Sequence, residues 1–77
     1  MKTVIELGVV LRARRKKLKL TQSELAMTCG TGIRFIGDLE RGKPTCQIGK
    51  VLEVIQTLGL RIALDDKAQN VTQGVSE

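Results

Sequence analysis

The stretch TQSELAMTCGTGIRFIGDLERG, residues 21–42, decides the fold. Thr21 offers an N-cap, and Glu24 three positions on completes a capping box, so a helix opens here. Leu25 and Ala26 turn toward the core. Gly30 stands where so short a helix must end, because glycine takes the left-handed conformation of a C′ position without steric cost. Thr31 is then positioned to cap another helix over residues 32–41, closed by Gly42. At about 100° per residue, Gly32, Phe35, Ile36 and Leu39 fall on one side of that helix. Ile33, Arg34, Gly37 and Arg41 fall on the other.

Upstream, Leu7, Val10, Leu11, Arg14 and Leu18 recur at spacings of three and four, which predicts a helix over residues 6–18. Its other face carries Arg12, Arg15 and Lys16, with Lys19 just beyond. Downstream, Pro44 cannot continue a helix, and Thr45 is placed to cap a fourth one running through Leu58. Ile48, Val51, Leu52, Ile55 and Leu58 form its apolar stripe, and Gly59 terminates it. Leu60, Ile62 and Leu64 then alternate with Arg61 and Ala63, a strand pattern. No other segment reads as a strand, so its economical partner is the same strand of a second copy across a two-fold axis. The alternative is that the fourth helix runs on into an apolar tail. Residues 65–77 are polar and without period, a flexible tail after a domain of residues 1–64. The expected fold is all-α: a small bundle of four helices, or five, with one short C-terminal strand pairing across a dimer.

Seventy-seven residues make one small domain, and with one aromatic residue its core is built from Leu, Ile and Val. So thin a core gains from oligomerisation. The charge is lopsided. Residues 1–43 hold ten Lys and Arg against four acids, and residues 44–77 hold three against four. A basic half suits a polyanionic partner. Six of those cations lie within Arg12–Lys19, too many for one helix face, and Lys16, Lys17 and Lys19 are the candidates for salt-sensitive attraction to DNA. Cys29 and Cys46 match no metal-ligand spacing and there is no histidine, so both read as reduced packing thiols. A brief apolar run ahead of a basic cluster is the reverse of a secretory signal, and nothing approaches a membrane span of about 20 residues. The expected location is cytoplasmic. Catalysis finds no support: no histidine, no metal cluster, no nucleophile with a base, and no cofactor motif.

Two short helices joined by a glycine-containing turn form a helix-turn-helix, which in DNA-binding proteins lays its second helix in the major groove. Thr21-Gln22, Leu25-Ala26, Gly30, Ile36, Leu39-Glu40 and Gly42 together resemble the Xre/Cro–repressor family over residues 7–58. RARRKKLKLTQSELA, RFIGDLERGKPT, GKVLEVIQTLGL and the closing RIAL are similar to HipB-type antitoxins. The resemblance implies a homodimer with a small intersubunit β-ribbon, operators in its own promoter, and contact with a HipA-type kinase toxin. It also implies that Gln22 bonds a backbone phosphate and braces the recognition helix. Lys43 and Thr45 are then placed at the next phosphates, with Arg41 a weaker candidate, and Arg15 pairs with Glu40 to lock the first helix against the third.

The residues carry a reading of their own. Arg34 is the candidate for base readout, because its guanidinium fork matches guanine O6 and N7. Ile33 can pack on a thymine methyl, and Gly37 either allows close approach to DNA or only weakens its helix. Thr21 and the free amides at the start of its helix suit a phosphate. Phe35 belongs to the core, with a DNA wedge as its alternative. Leu60, Ile62 and Leu64 are the expected dimer contacts. A face with one hydrogen-bonding base reader favours two half-sites of a palindromic double-stranded operator, read by a dimer. The other possible function is a protein-interaction module that neutralises a toxin directly and binds DNA only weakly.

Overall fold

The computed structural model describes residues 3–64, and four helices occur among them. They are α1 Val4–Lys17, α2 Gln22–Cys29, α3 Ile33–Glu40 and α4 Ile48–Thr57. The polar segment 65–77 lies outside the described residues.

Helix α1 begins two residues before the expected start because Thr3 and Glu6 form a capping box of their own. The Thr3 hydroxyl accepts from the Glu6 N–H at 3.1 Å, and the Glu6 carboxylate accepts from the Thr3 N–H at 3.3 Å. Arg14, Arg15, Lys16 and Lys17 crowd its last turn, where the helix dipole favours cations. The expected box of α2 is present, with Glu24 N–H to the Thr21 hydroxyl at 3.0 Å and Thr21 N–H to the Glu24 carboxylate at 2.8 Å. Gly30 ends α2 at φ 70°, and the next amide, that of Thr31, reaches back to the Ala26 carbonyl at 2.9 Å.

Two expected caps are corrected. Helix α3 is capped by Gly32, not Thr31, and the Thr31 hydroxyl is instead buried without a hydrogen-bond partner. Helix α4 opens after Gln47, which leaves Thr45 exposed in the preceding turn. A threonine in a loop can cap only if the next residue enters helical geometry, and neither Gly32 nor Cys46 does so.

The core consists of Leu11, Leu25, Ala26, Ile36, Leu39, Val51, Val54, Ile55 and Leu58, with Leu7, Leu20, Phe35, Leu60 and both cysteines packed at its edge. Each large aliphatic side chain in it contributes roughly 1.5–3 kcal/mol. The stripe of α4 is narrower than expected and differently centred: Val54 is buried, whereas Ile48 and Leu52 are exposed. Arg14, which falls within the apolar period of α1, donates its Nε–H to the Leu58 carbonyl at 2.8 Å and so satisfies an otherwise free group at the end of α4.

Helix α1 and the end of α3 meet almost backbone to backbone. A Cβ built on Gly8 would lie 2.6 Å from the carbonyl oxygens of both Leu39 and Glu40. One turn earlier, a Cβ on Gly42 (φ 84°) would meet the Ile5 Cα at 2.7 Å. Beyond α4, the Leu60 N–H closes onto the Ile55 carbonyl at 3.0 Å, so the helix does not run on. Residues 61–64 are exposed and carry no regular secondary structure in the single chain. Leu60 is half-buried, and Ile62 and Leu64 are largely exposed.

Candidate nucleic-acid interface

Helices α2 and α3 with the turn between them have the order and lengths of a helix-turn-helix, and what seats α3 is a buried network of polar side chains. Arg15 donates Nε–H to Glu40 Oε2 at 2.6 Å and Nη2–H to Oε1 at 3.1 Å, a bidentate pair. Its Nη1 donates to the Leu20 carbonyl at 2.7 Å, which fixes the loop before α2. Gln22 adds Nε2–H to Glu40 Oε1 at 3.0 Å. Both charged side chains are more than nine-tenths buried. Burial alone would raise the Glu40 pKa, but the hydrogen bonds from Arg15 and Gln22 and the charges of Arg15 and Arg12 outweigh it, so the carboxyl titrates below its ordinary 4.5. Arg15 is thus not part of an exposed basic face; it joins α1, α2 and α3.

The outward side of α3 is sparse. Ile33 and Arg34 are exposed, and Arg34 makes no hydrogen bond or ion pair among the described residues. Gly37 is buried, which the wheel alone does not reveal, because the Arg41 guanidinium lies over it: a Cβ there would be 3.2 Å from Arg41 Nη1. Arg41 is held by Asp38, Nη2 to Oδ1 at 2.6 Å, and Lys43 Nζ lies 3.5 Å from the other Asp38 oxygen. Asp38 is absent from the residues picked out by sequence reasoning, although its place four positions after Arg34 puts it on the same side. Phe35 turns inward against the core, with the Lys50 ammonium 5.6 Å from its ring centroid. Lys43 reaches this face at Asp38 and Lys16 lies beside Arg41, while Thr21 at the start of α2, Thr45 before α4, Lys17 and Lys19 are exposed as well.

Residues 11–64 match the helix-turn-helix family. Over 62 residues the chain is 56% identical to the uncharacterized HTH-type transcriptional regulator y4mF of Sinorhizobium fredii (strain NBRC 101917 / NGR234), covering 80% of this chain and 82% of that protein. The chain belongs to the helix-turn-helix family. At that level it is a transcriptional regulator of Xre type. Its fold is that of solved HipB chains. It superposes with a TM-score of 0.80 on a chain of the HipA-HipB-O2-O3 complex, at 24% identity over 87% of this chain and 94% of the other. A chain of the HipB-O4 20mer complex matches with the same score, identity and coverage. Among the described residues, no helix is long and apolar enough to cross a membrane, and no group of three or more His, Cys, Asp or Glu could hold a metal ion.

Proposed function

We propose that the protein is a sequence-specific DNA-binding homodimer that represses its own promoter, and that it serves as the HipB-type antitoxin of a HipA-like kinase. The observation that carries the DNA reading is the unpartnered Arg34 on the exposed face of a helix whose opposite face is locked by Arg15, Gln22 and Glu40. In this reading α3 enters the major groove, with Arg34 donating to guanine and Ile33 packing on a thymine methyl. Thr21, Gln22, Lys43 and Thr45 contact phosphates on either side. Gln22 can do so while bonded to Glu40, since its amide nitrogen carries a second hydrogen.

The dimer forms where Ile62 is exposed beside Leu52 of α4 and Leu64 is exposed beside Val10 of α1. Pairing residues 60–64 across a two-fold axis would give those backbone groups a ladder and place two α3 helices on half-sites about 34 Å apart. Residues 1–64 supply both functions, and the protein acts in the cytoplasm. The kinase partner is supported by the likeness of fold to the HipA-HipB-O2-O3 complex.

Arg34→Ala tests the DNA reading: operator selectivity should be lost in fluorescence anisotropy while far-UV circular dichroism and sedimentation stay those of the parent. A variant that still distinguishes its promoter fragment from scrambled DNA refutes the assignment. Co-expression with a kinase encoded in the neighbouring reading frame tests the second part, which fails if no complex elutes.

A further inference from the structure

Three neighbouring choices on α3 are individually unfavourable. Gly37 sits inside a helix, where glycine costs about 1 kcal/mol relative to alanine. Asp38 lies in the last turn, where the helix dipole repels an anion, and on the face that would meet phosphates. Arg41, whose side chain is 71% exposed, is bent back along the helix surface over Gly37 and onto Asp38. The three fit together geometrically. The bare position 37 makes room for the Arg41 guanidinium, and Asp38 Oδ1 grips its Nη2 at 2.6 Å. An exposed pair three residues apart adds little stability, so holding the helix together does not account for the arrangement. Arg34 and Arg41, seven residues apart, lie on one stripe about 10 Å apart along the axis.

We infer that Asp38 is a positioning residue which, across Gly37, presents Arg41 as a second base-reading guanidinium beside Arg34. This rests on the DNA reading above and assigns Arg41 to bases rather than to the phosphates. Asp38 takes one of the two Nη2 hydrogens, and Arg41 Nε and Nη1 make no hydrogen bond to other described side chains, so the second Nη2 hydrogen with Nη1–H or with Nε–H leaves one parallel edge of the guanidinium for an acceptor pair such as guanine O6 and N7. An aspartate orienting an arginine restricts the rotamers of a flexible chain before DNA arrives.

The test uses the full chain, a duplex enriched by it from a randomised pool, and a scrambled duplex of the same composition. Arg41→Ala should lower the ratio of affinities for enriched over scrambled DNA by between about five-fold and about 150-fold. Arg41→Lys, which keeps the charge and loses the fork, should lower that ratio nearly as far while scrambled DNA still binds as it does to the parent. Asp38→Asn should move the two affinities in opposite senses: scrambled DNA binds more tightly, because an anion is removed, and the ratio falls. In an Arg41→Ala background Asp38→Asn should leave the ratio unchanged within about two-fold. An unchanged ratio in Arg41→Lys or Asp38→Asn overturns the inference, as does a loss in the Arg41→Ala background equal to that in the parent. If the parent enriches no sequence at all, the DNA reading itself falls, and this inference with it.

Discussion

Replacing Glu40 with alanine removes the acceptor of three hydrogen bonds and leaves the Arg15 guanidinium buried without its counter-charge. Breaking a buried pair from one side costs about 3–5 kcal/mol, because the remaining ion has neither water nor a partner. A chain of 77 residues has roughly 4–12 kcal/mol of stability at about 0.05–0.15 kcal/mol per residue, so the loss takes at least about a quarter of the total and can take all of it. With a urea m-value near 1 kcal/mol/M, the midpoint should fall by about 3–5 M. Circular dichroism at 222 nm should follow the urea titration at fixed protein concentration, since dimerisation makes stability concentration-dependent. The double variant Arg15→Met, Glu40→Leu removes both ions and should recover most of the loss. A single variant destabilised by less than about 1 kcal/mol would show that water screens the pair as it does at a surface, and the reasoning would fail. A double variant as unstable as the single one would refute it as well.

Lowering the pH reaches the same pair. Glu40 titrates below 4.5 when folded, so its share of stability is full above that value and is lost as the pH falls toward the folded pKa; an acid titration of the Glu40→Gln variant should lack that component. Gly8→Ala should destabilise the protein by at least about 1–3 kcal/mol in thermal melts, although alanine is the better helix former, because its methyl would press on the carbonyls of Leu39 and Glu40. Thr31→Val should be neutral or stabilising in the same melts, since the buried hydroxyl it removes has no partner. Ile62→Pro should give monomers by sedimentation while α1 to α4 remain folded, because a ladder hydrogen bond is lost from the proposed ribbon. A dimeric variant would place the interface on α4 alone.

What was legible in the sequence is what depends on neighbours along the chain. The Thr21–Glu24 box and the turn at Gly30 need only residues within one helical turn, and both are present. The same T-x-x-E signature stands at Thr3–Glu6 and would have placed the start of α1 correctly. The Thr31 and Thr45 caps went astray because several residues in each loop can cap, and packing chooses among them. Ile48 and Leu52 keep the period of α4 yet face solvent, since periodicity gives the direction of a face but not its width. The Arg15–Glu40 pair joins residues 25 positions apart and was accessible only through family resemblance. No pattern in the chain announces that Arg41 covers Gly37, because that depends on a rotamer.

The close seating of α1 on the end of α3 has a thermodynamic consequence. Ile5 against Gly42, Gly8 against the Leu39 and Glu40 carbonyls, and Arg15 on Glu40 touch α3 and its closing turn at three stations spread over about 15 Å of α1. Neither glycine has a side chain to act as a cushion, so sliding or rolling α3 by even half an ångström meets the Leu39 and Glu40 carbonyls at Gly8 and the Cα and Cγ1 of Ile5 at Gly42. Its rigid-body freedom is therefore surrendered when the chain folds, and little of that entropy remains to be lost at a target. Association should then proceed with a small ordering penalty, and changes of target choice should arise on the outer stripe of α3 while its mounting stays constant.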